Sequence, residues 1–208
     1  MKIAIIGTGS VGSALGRGMA RAGHEVVFGV RNTGKPEVAK LVEETGARAA
    51  SVAAAAEAAE VVVLAMPWGG AQDVIRTAGG LSGKIVFDCI NPLKADLSGL
   101  DTGDARSAAE QVAAWAPGAR VVKVFNSTGA NNMANPQYGD DRATMLYCGD
   151  DEGAKKVAAQ LAGEIGFEPV DAGPLSAAYL LEHFAMLWIH LAYGVGMGRN
   201  FAFEIVRR

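Results

Sequence analysis

The segment from Lys2 to Asn32 reads strand, glycine turn, helix, strand, and that order restricts the chain to an open α/β sheet with a ligand at its edge. Lys2-Ile3-Ala4-Ile5-Ile6 is a short apolar run suited to burial on both faces. Gly7-Thr8-Gly9-Ser10-Val11-Gly12 follows at once and opens a helical run to Ala22. The three glycines serve different ends. Gly7 permits the tight turn, Gly9 lets backbone amides approach a pyrophosphate, and Gly12 lets the helix lie close to the strand. The helix N-terminus then presents free N–H groups and a partial positive charge to phosphates. A G-x-G-x-x-G pattern alone is weak evidence. Placed after an apolar strand, opening a helix and leading to a second strand, it is specific for a dinucleotide.

The end of the second strand selects the dinucleotide. An acid there would grip a ribose 2′-hydroxyl and repel a 2′-phosphate. Here Glu25-Val26-Val27-Phe28-Gly29-Val30 ends on Arg31 and Asn32, with Lys35 close behind. A guanidinium can fork onto phosphate oxygens and an ammonium can add a point charge. The expected cofactor is therefore NADP(H) and not NAD(H).

Beyond this unit, short apolar runs keep alternating with helical patterns, the mark of a parallel sheet with helices on both faces. Strands are expected near 2–6, 25–30, 47–50, 61–65, 84–89 and 120–125, with helices near 10–22, 35–45, 52–59, 69–79 and 104–115. A loop over 126–142 leads to a strand near 143–148, a helix over 151–165 and a strand near 167–171. Gly173-Pro174 breaks the chain before a last helix near 175–194. The expected fold is a Rossmann-type doubly wound parallel sheet with a small fused C-terminal αβ extension ending in a helix. Residues 1–125 form the NADP-binding part. Residues 126–208 form a fused segment that shapes a second-substrate pocket and supplies a dimer contact.

With 208 residues, half of them apolar, the chain can bury a substantial core, and a net charge of −3 gives no electrostatic footprint for nucleic acid. The longest charge-free apolar stretch, Glu182 to Arg199, carries two histidines and several glycines and is too short for a comfortable membrane span. Cys89 and Cys148 read as buried free thiols. These features together predict a cytoplasmic protein with no membrane partner. His24 is expected at the surface. His183 and His190, seven apart on one helix face, are expected to be buried or interfacial. No Cys/His cluster has metal-ligand spacing, and Ser127 lies outside a nucleophile-elbow pattern.

In an open parallel sheet the ligand lies over the carboxyl ends of the strands. That places Ala65-Met66-Pro67-Trp68, Asn91-Pro92 and Asn126-Ser127-Thr128-Gly129-Ala130 beside the cofactor. Trp68 offers a flat wall, Asn91 and Asn126 offer hydrogen bonds, and Ala130 permits close approach. Their plainer roles are packing for Trp68 and turn chemistry for the asparagines. No catalytic acid, base or nucleophile emerges. Alcohol and imine reductions need a proton donor at the reacting atom, whereas hydride transfer between two rings needs mainly apposition. Trp68, Thr128, Met133 and the turn Gly196-Met197-Gly198 are the candidates for a second-ring pocket.

Assembled, these residues resemble the F420-dependent NADP oxidoreductase family. The likeness runs through Gly7 to Gly12, Gly23-His24-Glu25-Val26 with Gly29 and Arg31, Pro67-Trp68, Arg106-Ser107-Ala108-Ala109-Glu110, Cys148-Gly149-Asp150-Asp151, Asp171 to Ser176, and Gly196-Met197-Gly198. The resemblance implies hydride exchange between NADP(H) and a deazaflavin. It implies that Thr8, Ser10, Val11, Arg31 and Lys35 hold the adenine-side phosphates, that Met66, Pro67 and Ala130 lie near the nicotinamide, and that the Gly196–Gly198 turn shapes the second pocket. Val122-Lys123, Phe125 and Asn126 are also similar to the cytosolic domain of the six-transmembrane ferric reductases, which use a flavin. Two positions depart from the deazaflavin pattern. Val30 stands where those enzymes often carry a serine, and Asn126-Ser127-Thr128-Gly129 replaces a loop with a histidine and a proline.

The function expected is hydride transfer between NADP(H) and a deazaflavin (coenzyme F420) or a flavin such as FMN or FAD, in a homodimer. The alternatives are an NADPH-dependent imine or carbonyl reductase, and a non-catalytic NADPH-sensing module.

Overall fold

The computed structural model describes residues 1–103 and 106–208. An eight-stranded sheet runs through the whole chain in the order β10-β9-β6-β5-β4-β1-β2-β3. Its strands are β1 (Lys2–Ile6), β2 (Glu25–Gly29), β3 (Arg48–Ala50), β4 (Val61–Leu64), β5 (Ile85–Asp88), β6 (Arg120–Lys123), β9 (Thr144–Gly149) and β10 (Glu168–Asp171). The first six are parallel neighbours, while β9 runs antiparallel to β6 and parallel to β10. The order reverses between β1 and β4, which opens a crevice at their carboxyl ends.

Burial explains the central strands. Every residue of β4 and Ile3 to Ile6 of β1 are buried, as apolar runs covered on both faces must be. Alternate side chains feed two cores. One joins Ile3, Ile5, Val63 and Phe87 to Leu15 and Met19 of helix α1 (Ser10–Arg21) and Leu161 of helix α7 (Glu152–Glu164). The other joins Ala4, Ile6, Val62 and Val86 to Ile75 of α4 (Ala71–Ala78), Val112 of α5 (Ala108–Trp115) and Leu181 of α8 (Ala178–Ile189). Helices α2 (Pro36–Thr45) and α3 (Val52–Ala58) complete the first crossovers. The expected helix over 104–115 starts at Ala108, and residues 104 and 105 lie outside the described residues.

The segment after β6 departs most from expectation. In place of a loop it contains a short helix α6 (Ala130–Ala134) and a hairpin of β7 (Gln137–Tyr138) and β8 (Asp141–Arg142). No full crossover helix intervenes before β9, so that strand can join β6 antiparallel. The last helix is also not uniform: a 3-10 turn (Leu175–Ala177) precedes α8, and a π-helical turn (His190–Gly194) follows it. Leu175–Gly194 is long and apolar enough to cross a membrane by length and hydropathy. Here its inward face is buried at Leu181, Ala185 and Trp188.

The tail beyond Gly198 docks back on the molecule. Phe201 stacks on Trp188 at 5.2 Å between ring centroids, and its carbonyl accepts from Trp188 Nε1 and Asn132 Nδ2. Phe203 lies against Phe184, and its carbonyl accepts from the Thr144 N–H. His24 corrects the surface expectation. Its ring bonds Glu164 at 2.7 Å and its side chain is 9% exposed.

Candidate dinucleotide and second-substrate site

At the β1–β4 reversal a cleft of about 380 Å³ is lined by Gly7, Thr8, Gly9, Arg31, Asn32, Lys35, Ala65, Met66 and Pro67. Its local geometry fits a pyrophosphate. Gly7 holds φ +109°, and a side chain there would collide with the Ala65 carbonyl. A methyl on Gly12 would meet the Gly7 carbonyl, so this glycine lets α1 close onto the turn. A methyl on Gly9 would meet nothing within 4 Å, so the backbone there faces open space. No side chain caps α1 at Gly9 and its first turn carries no acid, which leaves the positive end of the helix for an anion. Ser10 and Val11 belong to that turn and are not among the residues lining the cleft.

The tip of β2 forms the opposite wall. Asn32 Oδ1 accepts from the Gly34 N–H at 2.9 Å and fixes the turn beyond Arg31. Arg31 is exposed and forms no ion pair among the described residues. Lys35 also lines the cleft but pairs with Glu37 at 3.5 Å. Both are more than half exposed, so that pair holds little energy. A cation with no partner beside a helix N-terminus suits a phosphate on the adenosine ribose. Val30 lines the cleft beside Arg31, and Val52 and Val74 add apolar lining that the strand-end argument did not name. They come from the next residue of β2's edge and from helices flanking the reversal.

Other expected residues lie elsewhere. Trp68 turns away from this cleft and stacks on Trp115 at 5.2 Å, where it lines a separate hollow with Gln72 and Gln111. Its role as a cofactor wall is corrected: the 3-10 turn Trp68–Gly70 aims the indole toward α5. Met133 is 1% exposed and belongs to the core under α6, so it offers no surface to a second ring. Thr128 Oγ1 accepts from Asn132 Nδ2 at 2.7 Å. Asn131 Nδ2 donates to the Arg199 carbonyl at 2.7 Å, which brings the Gly196-Met197-Gly198 turn toward the loop ahead of α6. Thr128 and the Arg199 carbonyl are thus held by successive residues of α6, Asn132 and Asn131, whereas Trp68 and Met133 take no part. Gly129 sits tight against Trp188, and Ala130 begins α6 beside it. His183 and His190 are exposed on α8 and the π-turn, and neither meets the cleft.

Asn91 and Asn126 pair with each other. Asn126 Nδ2 donates to Asn91 Oδ1, and Asn91 Nδ2 donates to the Asn126 carbonyl. Pro92 is buried, and Asn91, Pro92 and Asn126 are not among the residues lining the cleft. Close to this pair lies a cluster that sequence reasoning missed. Lys123 Nζ bonds Asp88 Oδ2 at 2.9 Å, Glu182 Oε1 at 2.8 Å and the Ile90 carbonyl, and all three charged side chains are wholly buried. Glu182 also accepts from the Ala108 and Ala109 N–H groups at the start of α5. Burial opposes the Lys123 charge, but the two carboxylates outweigh it and raise its pKa above that of an ordinary lysine. The two buried thiols are also shifted. Desolvation pushes Cys148 up to about 12 and Cys89 well above its usual value.

Fold, reversal point and cationic cleft are those of an NADP-dependent oxidoreductase. Residues 2–92 match the family model described as NADP oxidoreductase coenzyme F420-dependent. An F420-dependent NADP reductase from Methanothermobacter marburgensis is 32% identical over 92% of each chain. A crystal structure from Arthrobacter sp. FB24, assigned as an F420-dependent NADP reductase, superposes with a TM-score of 0.90 at 32% identity over the full length of both chains. The metalloreductase STEAP3 of Rattus norvegicus is 30% identical over 87% of this chain, which spans 36% of that protein. The chain belongs to the F420-dependent NADP oxidoreductase family.

Proposed function

We propose that this protein passes hydride between NADP(H) and a planar deazaflavin ring of the coenzyme F420 type, with a flavin as the second acceptor to be tried. One observation carries the reading. Where β5 and β6 end, Asn91 and Asn126 spend their amides on each other, while the charged groups nearby, Asp88, Lys123 and Glu182, are sealed in the interior and bonded to one another. That surface suits apposition of two rings more than protonation of a carbonyl or imine product. The nicotinamide supplies the hydride when bound. Arg31 would hold the 2′-phosphate, the α1 N-terminus the pyrophosphate, and Met66 and Pro67 the nicotinamide ribose. The turn Gly196–Gly198, tied to α6 through Asn131, would close over the second ring and exclude water. The names of the relatives support the deazaflavin as partner.

Stopped-flow absorbance with NADPH and, separately, F420, FMN, FAD and riboflavin tests this. The expected result is rapid NADPH oxidation with F420. No acceleration with any of these rings, alongside turnover of a cyclic imine, would replace the reading with imine reduction.

A further inference from the structure

Lys123, Phe125 and Asn126 occupy a short run at the end of β6, and each is constrained in a different way. Lys123 ties β6 to Asp88 of β5 and to Glu182 of α8 inside the core. Phe125 is fully buried at φ +58°, a left-handed conformation that bulky residues rarely adopt. Asn126 commits both amide hydrogens, one to Asn91 Oδ1 at 2.9 Å and one to the Leu181 carbonyl at 3.1 Å. Its Oδ1 is buried with no partner in the protein. Leu181 adjoins Glu182, so the triad and the asparagine pair grip α8 at adjacent residues.

A fully buried ion cluster adds little stability over an apolar core of the same volume. What it adds is geometry, because charges in a low-dielectric interior tolerate little displacement. The Lys123 ammonium faces two carboxylates, and the second is balanced by the N–H groups that open α5. The cluster thus fixes β5, β6, α5 and α8 at one point. Among the described residues no other ion pair has both side chains wholly buried.

We propose that Asp88, Lys123 and Glu182 are positioning residues that hold the Asn91–Asn126 amide pair and the first turns of α8 in the arrangement that receives the nicotinamide half of the cofactor. The proposal rests on the reading that these strand ends face the nicotinamide. The adenosine half, bound at Arg31 beyond β1, lies outside the reach of the triad.

The test compares calorimetric affinities for NADPH and for 2′,5′-ADP, which carries only the adenosine half. The variant is the neutral triple substitution Asp88→Asn, Lys123→Met, Glu182→Gln, which keeps an oxygen acceptor for the Ile90, Ala108 and Ala109 N–H groups. The expected result is a cooperative melt, a 2′,5′-ADP Kd within twofold of wild type, and an NADPH Kd raised at least tenfold. Unchanged affinity for both ligands overturns the triad's role, and so does equal loss of both, which would mark a general structural effect. If the triple variant does not fold, Glu182→Gln alone is read the same way, with an expected NADPH-specific loss of about threefold. A wild-type protein that binds NADPH no tighter than 2′,5′-ADP overturns the site reading together with the proposal, so the two failures are distinguishable.

Discussion

Asn126 and Asn91 bond each other twice, through Asn126 Nδ2 to Asn91 Oδ1 at 2.9 Å and Asn91 Nδ2 to the Asn126 carbonyl at 2.8 Å. Each residue lies three positions past the end of its strand, β6 for Asn126 and β5 for Asn91, so the pair bridges the loops of neighbouring strands, next to the Ile90 carbonyl that Lys123 bonds. Asn91→Ala removes both bonds and leaves the Asn126 carbonyl without that donor. The expected loss is about 1–3 kcal/mol of stability, with NADPH affinity falling and 2′,5′-ADP affinity unchanged. Thermal melts and calorimetry check the two halves of this prediction.

We propose that Arg31 decides between the two nicotinamide cofactors. It is exposed, lines the cleft and is unpaired among the described residues. Arg31→Ala should weaken NADPH binding by about 1.5–3 kcal/mol, the worth of a charge-assisted hydrogen bond, or roughly tenfold to a hundredfold. NADH binding should stay as it was. Equal effects on both cofactors in a calorimetric titration would move the 2′-phosphate away from Arg31.

This part of the site was legible because local sequence dictates it. Gly7, Gly12 and Arg31 act through the backbone turn or the strand tip on which they lie, and periodicity placed those elements within a residue or two. Trp68 was misplaced because the direction of an indole depends on a 3-10 turn and on Trp115, far along the chain. Met133 was misplaced because a loop was expected where α6 packs it into the core. The Asp88–Lys123–Glu182 cluster joins residues distant in sequence, and each taken alone reads as an ordinary charge. A lysine after two valines in a buried strand was the one available hint, since such a position admits a charge only when it is paired.

Cys148 carries a pH dependence with a definite sign. Burial raises its thiol to about 12 in the folded protein, against 9.0 for the unperturbed group. A thiol whose folded pKa is raised stays protonated when folded and ionises when unfolded. The stability it protects is therefore fully present below pH 9.0 and is lost as pH rises toward about 12. Cys148→Ala should flatten the decline in denaturant midpoint over that alkaline window and leave neutral-pH activity intact. In the native protein both buried thiols should resist alkylation near neutral pH, because the reactive thiolate is scarce.

Phe201 holds the C-terminal tail to α8 by stacking on Trp188, and its carbonyl receives Trp188 Nε1 and Asn132 Nδ2. Phe201→Ala should cost about 2 kcal/mol of stability from lost burial and stacking. Because the tail runs from the Gly196–Gly198 turn, the second-substrate KM should rise while NADPH affinity is preserved. Hydrogen exchange should increase at the Thr144 N–H, which donates to the Phe203 carbonyl. Loss of NADPH affinity in place of the KM change would show that the tail serves the fold as a whole.

The outward face of α8 and the turns after it expose Leu180 at 54%, Leu187 at 47%, Tyr193 at 57%, Val195 at 59% and Met197 at 57%. Between Glu182, which turns inward to Lys123, and Arg199 the sequence contains no acidic residue, lysine or arginine. This stretch therefore brings no formal charge of its own to a contact with a second copy of the same chain, which favours an isologous interface. We propose a homodimer through this surface. Sedimentation velocity at low micromolar concentration should report twice the 21.5 kDa chain mass. Leu187→Glu, which would place two carboxylates at such an interface, should shift the protein to monomer without changing the affinity for 2′,5′-ADP. A wild-type protein that sediments as a monomer would show that this apolar face is not a contact between copies.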